Sequence, residues 1–245
     1  MKLLLIDIET APHMAAVWGL WKENIPLDRL IKPGYTLCWA AKWYGEKEVM
    51  FDSILSGHKK MVKGIHKLLD EADAVIHYNG SKFDIPTLNK EFLLQGLKPP
   101  APIKQIDLLK TARTKFRLAS NKLDFVANAL GYGKKVRHKG LELWFECMAK
   151  NPQAWEQMKE YNIHDVVLLE RVYDRLKPWI KSHPSVLSGV EGTACPKCGS
   201  HKATKRGSAV TAAGRYQRYQ CNECGSWFRS SVNERPKGER YVEVQ

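Results

Sequence analysis

Two hydrophobic periods alternate along the chain. Residues 2–6 (KLLLI) form a short apolar run ending in a carboxylate, as expected of a buried strand that delivers Asp7 to the edge of a sheet. Residues 36–44 and 47–51 are β-rich segments separated by Gly45 and Glu46, a hairpin pattern. A helical spacing follows over 59–69, with Met61, Ile65, Leu68 and Leu69 on one face, before 74–77 returns to a strand. The pattern then predicts a helix over 83–94, a strand over 103–109 and a helix over 122–130. This last helix carries Leu123, Val126, Ala127 and Leu130 on one face, with Ser120 or Asn121 as its cap and Gly131 as its stop. Residues 154–176 form the longest helical candidate, ended by Pro178 and Pro184. Strands alternating with helices indicate an α/β architecture.

The hydrophobic content of 44% suits a packed core rather than a disordered chain. No run approaches the roughly 20 apolar residues that span a bilayer. The opening MKLLLIDIET runs straight into carboxylates, unlike a secretory leader, so a cytoplasmic protein without a membrane partner is expected. The formal charge of +13 favours a polyanionic partner, although a solvated basic surface would give the same number. From Ser185 onward there are 10 Lys and Arg against 5 Asp and Glu, so both parts of the chain are basic.

Three acidic motifs carry the candidate chemistry. In Asp7-Ile8-Glu9, alternate strand residues place both carboxylates on one side while Ile8 faces the core. Such a pair suits a hard divalent cation, though two solvated acids at a strand end are common. Asn79-Gly80-Ser81-Lys82-Phe83-Asp84 follows a strand and opens a helix, with Gly80 permitting a tight turn. By itself Asp84 also reads as a helix-start acid favoured by the macrodipole. In Tyr161-Asn162-Ile163-His164-Asp165, the tyrosine and the last acid are four apart and share a face of a continuous helix; a surface acid beside a half-buried tyrosine is the plainer alternative.

Taken in order, D-x-E, N-x3-F-D and Y-x3-D resemble the DEDDy branch of the ribonuclease H-like 3′-5′ exonucleases, especially the proofreading domains of B-family DNA polymerases. The resemblance covers roughly residues 1–180 and puts Asp7, Glu9, Asp84 and Asp165 at the four acidic positions, with Tyr161 as the defining tyrosine. The related DEDDh branch would require a histidine where Glu160 stands, and His164 is read as structural. The segment TAPHMAAVWGLWKENIPLDRL is similar to that of small exonucleases carried by bacteriophages, which points to a bacterial cell or its phage. The resemblance implies a ribonuclease H-like mixed sheet flanked by helices and two catalytic Mg²⁺ or Mn²⁺ ions. One would be bound by Asp7, Glu9 and Asp165, and the second by Asp7 with Asp84 acting through water. Tyr161 would orient the attacking water, since a phenol with a pKa near ~10 is a poor base.

Basic clusters offer phosphate contacts: Lys110, Arg113, Lys115 and Arg117, and then Lys134, Lys135, Arg137 and Lys139. Solvated loops are the plainer reading of both. Trp18 and Trp21 could stack on exposed bases, with core packing the favoured alternative.

Cys195-Pro-Lys-Cys198-Gly and Cys221-Asn-Glu-Cys224-Gly are two knuckles separated by 22 residues, a spacing that resembles a zinc ribbon. Four thiolates leave no position open for water, so one structural Zn²⁺ is expected. A redox pair is the alternative. Residues 216–220 and 227–230 supply strands, and Arg206, Arg215, Arg218 and Arg229 suggest a nucleic-acid grip, though such ribbons also bind proteins. Cys38 and Cys147 stand alone and read as small buried hydrophobes.

The organisation expected is a nuclease domain over 1–184, a linker over 185–192, and the ribbon with its tail over 193–245. The leading function is a metal-dependent 3′-5′ exonuclease, with DNA favoured and single-stranded or frayed 3′ ends as substrate. An endonuclease using the same site and a non-catalytic nucleic-acid-binding adaptor are the alternatives. A replication or repair protein is a candidate partner.

Overall fold

The structure is a computed structural model that describes residues 1–133, 139–187 and 192–234. The chain divides into two compact units, Met1–Leu176 and Lys177–Gln245. The division falls at the end of the last long helix, and part of the expected linker, 188–191, lies outside the described residues.

Among the described residues of the first unit, seven strands precede or alternate with six α-helices. The strands are β1 (Leu3–Thr10), β2 (Met14–Ala15), β3 (Leu30–Lys32), β4 (Thr36–Trp43), β5 (Met50–Ser53), β6 (Ala74–His77) and β7 (Lys104–Asp107). The helices are α1 (His58–Glu71), α2 (Asp84–Leu94), α3 (Leu108–Lys115), α4 (Leu123–Ala129), α5 (Leu141–Met148) and α6 (Pro152–Leu176). Five strands form a mixed sheet in the order β5-β4-β1-β6-β7. Strand β1 is antiparallel to β4 and parallel to β6, while β6 and β7 are parallel.

Both faces of this sheet are covered, which explains why its central strands are nearly continuous in apolar residues. Leu4, Ile6 and Ile8 of β1 pack against Met61, Ile65 and Leu69 of α1 and Leu88 and Phe92 of α2. On the other face Cys38 joins Leu143 and Cys147 of α5 and Trp155, Met158 and Tyr161 of α6. Each large apolar side chain buried this way contributes about 1.5–3 kcal/mol. Because strand residues alternate, Asp7 and Glu9 face the side opposite Ile8. Helix α6 begins where Asn151 Oδ1 accepts from the Gln153 and Ala154 amides at 3.0 and 3.4 Å, with Pro152 as its first residue.

Several expectations need correction. The strand expected over 103–109 stops at Asp107, whose Oδ1 accepts from the Leu109 and Lys110 amides and starts α3 instead. Helix α5 and the short β2–β3 pair carry no expected element. The hairpin connection is longer than Gly45-Glu46: Ala41 pairs with Met50, and the polar residues at 47–48 stay outside the sheet. Neither Ser120 nor Asn121 caps α4; Lys122 stands at that position without a side-chain cap bond, although Ser120 Oγ accepts from its amide at 3.3 Å. Trp18 and Trp21 are 91% and 87% exposed, so they do not join the core. Their segment lies in the connection between β2 and β3, which form a two-stranded sheet of their own.

The second unit contains a three-stranded antiparallel sheet in the order β10-β9-β8, from β8 (Ala203–Thr211), β9 (Gly214–Cys221) and β10 (Trp227–Asn233). Strands β9 and β10 form at the expected 216–220 and 227–230, whereas β8 carries no expected element.

Candidate active site

The site begins where the sheet splits. Parallel pairing of β1 with β6 ends at Leu5 and Ile76, yet β1 continues to Thr10, paired on its other side with β4. Asp7 and Glu9 lie on this overhang. The Ile8 amide, beyond the last β6 partner, donates to Asp84 Oδ1 at 3.2 Å, so a buried carboxylate replaces the missing strand.

Asp84 is held there by the turn that leads from β6 into α2. Asn79 takes the left-handed conformation at φ 70°, and its amide donates to Asp107 Oδ1 at 3.0 Å. Gly80 serves by its missing side chain rather than by a positive φ: a Cβ would lie 2.4 Å from His77 Cγ. The Gly80 amide donates to His77 Nδ1 at 3.0 Å. Burial pushes the Asp84 carboxyl up to about 7, against the pull of hydrogen bonds from its own and the Ile8 amides.

From the opposite side α6 supplies Tyr161, Asn162 and Asp165. The helix is continuous from Pro152 to Leu176, so Tyr161 and Asp165 lie one turn apart on its buried face. Tyr161 packs edge-on against Trp144 with ring centroids 6.2 Å apart. Carboxylate oxygens of Asp7, Glu9 and Asp165 all lie within 4.8 Å of one another, and Asp165 is buried. Asp84 stands outside this group, on the Ile8 amide. Like charges this close repel strongly at a partly desolvated position, and a hard divalent cation converts that repulsion into attraction. The donor set therefore fits Mg²⁺ or Mn²⁺.

Sequence reasoning missed Asn162. Its Nδ2 donates to Asp7 Oδ2 at 2.7 Å and to the Asp7 carbonyl at 3.3 Å, while Cys38 Sγ donates to its Oδ1 at 3.8 Å. It also missed Asp107, although an Asp immediately before an apolar run is a legible helix cap. Cys38 is buried as expected, and burial, then the charges of Glu9 and Asp7, hold its thiol well above its ordinary range.

A cleft of about 630 Å³ opens beside Asp7, lined among others by Tyr78, Asn79, Arg113, Asn121 and Lys122. Its size suits a nucleotide, and Arg113 and Lys122 bring positive charge to it. Of the first basic cluster, Arg113 alone lines the cleft. In the second, Lys139 lies 3.9 and 3.7 Å from Glu142 and Glu146, and Lys134, Lys135 and Arg137 lie outside the described residues.

In the second unit the four cysteine sulfurs lie within 4.8 Å of one another, with Cys195–Cys224 at 3.7 Å and Cys198–Cys221 at 3.6 Å. Zn–S bonds of about 2.3 Å in a tetrahedron put sulfurs about 3.8 Å apart, whereas a disulfide needs about 2.05 Å. The two knuckles share one geometry. Gly199 and Gly225 donate to the Cys195 and Cys221 carbonyls, and both glycines have positive φ, at 78° and 74°. The four-cysteine cluster is compatible with a zinc ribbon.

A mixed sheet whose central strand carries acids toward a long helix defines a ribonuclease H-like fold. A sequence model described as RNase_H superfamily matches residues 36–177, more than half the chain, and the chain belongs to that superfamily. The match begins after Asp7 and Glu9, which the fold itself brings to the site. Among solved structures, the family B DNA polymerase from the hyperthermophilic archaeon Pyrobaculum calidifontis is similar in fold, with a TM-score of 0.51 and 16% identity. The likeness covers 73% of this chain and 25% of the polymerase. No curated protein matches. Superfamily membership and the acidic group together support a nuclease. Among the described residues, no helix is long and apolar enough to cross a membrane.

Proposed function

We propose that the first unit is a metal-dependent 3′-5′ exonuclease of the DEDDy type that hydrolyses phosphodiester bonds at single-stranded or frayed 3′ ends, with DNA favoured. The observation that carries this reading is the group of Asp7, Glu9 and Asp165 within 4.8 Å, with Tyr161 one helical turn before Asp165. The fold likeness to a DNA polymerase supports the preference for DNA.

Asp7, Glu9 and Asp165 would hold one Mg²⁺ or Mn²⁺ ion, and Asp7 a second, with Asp84 acting through water. Bound divalent ions supply Lewis-acid activation of water and charge stabilisation at the departing 3′ oxygen. The chain's own residues do the remainder. Asn162 fixes the Asp7 carboxylate, Asp84 fixes the β1 backbone between the two first acids, and the Tyr161 hydroxyl orients the attacking water. The terminal nucleotide occupies the cleft beside Asp7, where Arg113 and Lys122 meet its phosphates. In the second unit Cys195, Cys198, Cys221 and Cys224 hold one structural Zn²⁺.

The test uses 5′-labelled DNA and RNA, single-stranded and duplex, with and without Mn²⁺. The reading expects a Mn²⁺-dependent ladder of products shortened one nucleotide at a time from the 3′ end. Internal cuts at early times would indicate an endonuclease, and binding without cleavage under every condition would indicate an adaptor; either overturns the proposal.

A further inference from the structure

The ribbon carries a second arrangement that its cysteines do not require. In the antiparallel register of β9 and β10, Gln220 pairs with Trp227, and Arg218 lies directly opposite Arg229. Alternation then puts Tyr216, Arg218, Trp227 and Arg229 on one face of the sheet. They interlock diagonally. The Arg218 guanidinium lies 5.2 Å from the Trp227 ring centre, and that of Arg229 lies 3.9 Å from the Tyr216 ring centre. Arg218 is further fixed by its Nε, which donates to the Arg206 carbonyl at 2.9 Å where β8 bulges between Lys205 and Ser208.

Three observations say what this face is suited to hold. First, like charges directly opposite across two strands destabilise a sheet unless an anion lies between them, and here the pair is two arginines. Second, among the described residues the nearby acids are already engaged. Glu223 pairs with Lys202 at 2.8 Å and Glu234 with Arg215 at 3.6 Å, so no carboxylate among the described residues of the unit pairs with Lys205, Arg206, Arg218 or Arg229. Residues 192–234 hold 7 Lys and Arg against 2 Glu; even after a Zn²⁺ and four thiolates take two positive charges away, the unit is cationic. Third, Trp227 is 51% exposed, leaving a flat aromatic surface beside the arginine pair while Tyr216 is covered.

We propose that this face of the ribbon binds single-stranded nucleic acid, with backbone phosphates across Arg218 and Arg229 and an unpaired base stacked on Trp227. Phosphate bridging relieves the arginine pair, and stacking on an exposed indole requires a base that is not already inside a duplex. The inference deepens the exonuclease reading by naming a single strand as the ligand of a separate site. It concerns binding and stands whether or not the first unit hydrolyses anything.

The test uses the full zinc-loaded chain carrying Asp7→Asn, so that binding is not read through cleavage. Anisotropy of a labelled oligothymidylate of about ten nucleotides, within the range of single-strand site sizes, gives Kd at several salt concentrations. Replacing both Arg218 and Arg229 by Ala should weaken binding about tenfold or more and reduce the slope of log K against log salt by about 1.4, or 0.7 for each lost phosphate contact. Trp227→Ala should weaken single-strand binding about tenfold with the slope unchanged, and leave binding of a duplex unaffected. Zinc content at the parental level shows that each variant's ribbon is intact; Trp227→Phe, which keeps a ring, should restore most of the affinity. Parental affinity and slope in both variants would overturn the proposal, as would polyglutamate displacing the oligonucleotide equally well at equal charge, which would mark the face as one for acidic proteins. Failure of the exonuclease reading is seen separately, as absence of cleavage by the chain with Asp7 intact.

Discussion

Asn162 Nδ2 donates to Asp7 Oδ2 at 2.7 Å across 155 residues of chain, and the amide that does so is fully buried. One oxygen of the most central acid is thereby committed to the protein, and its rotamer is set before any cation arrives. Partners of this kind are worth about 10–100-fold in metal affinity or activity. Asn162→Ala should raise the Mn²⁺ concentration for half-saturation about tenfold or more, measured by calorimetry without substrate, and lower the cleavage rate in parallel. A folded variant with unchanged Mn²⁺ affinity would remove Asn162 from the site.

Tyr161→Phe keeps the ring against Trp144 and removes one hydroxyl. Lost positioning of a nucleophile acts on the transition state more than on binding. The single-turnover rate should fall while Mn²⁺ and substrate affinities stay near the parental values. A parental rate when chemistry is limiting would make the tyrosine a packing residue.

His77 makes the first unit sensitive to acid. Its buried ring accepts from the Gly80 amide at Nδ1 and faces Gln105 Oε1 from Nε2 at 3.2 Å, an arrangement that suits the neutral form with its proton on Nε2. Burial lowers its pKa below 6.5, with Asp107 opposing. The unfolded chain therefore binds the proton first on acidification. The stabilisation is present above the unfolded value of about 6.5 and is lost as pH falls through the lower folded value. The Asp84 carboxyl, pushed up to about 7, acts in the opposite direction in parent and variant alike, so the contrast between them isolates His77: in urea unfolding between pH 7 and pH 5, His77→Asn should gain stability relative to the parent as pH falls. Identical slopes would assign the acid sensitivity elsewhere.

Much of this architecture is legible in sequence because its causes are local. The run at 2–6, the helical spacing at 59–69 and the strand at 74–77 each contain their own period, and all three elements form there. The three acidic motifs are legible for the same reason. What was not legible depends on distant partners. Asn162 reads as one more polar residue on a helix until Asp7 is placed beside it. Leu108 and Leu109 add apolar residues after Ile106, so the strand reading continues past Asp107, and the helix wins because the Asp107 side chain caps it. Trp18 and Trp21 look like core by composition, but their segment has no face of the main sheet to cover.

Cys198→Ser removes one corner of the sulfur tetrahedron. Small domains of this size depend on metal for folding free energy. The variant should lose its zinc and become sensitive to proteolysis beyond about residue 192, while the unfolding transition of the first unit is unchanged. Loss of the whole cooperative fold would show that the two units are not independent.

Asp7 lies among the carboxylates of Glu9 and Asp165 and is the acid that both proposed cations share. Single-turnover cleavage of a 5′-labelled single strand in saturating Mn²⁺, compared between the parent and Asp7→Ala, is the decisive measurement. A cation clamp is worth several kcal/mol of transition-state stabilisation, and each 1.36 kcal/mol is tenfold in rate. The rate should fall at least about a hundredfold with thermal unfolding little changed. A correctly folded Asp7→Ala protein that still cleaves at the parental rate would contradict it.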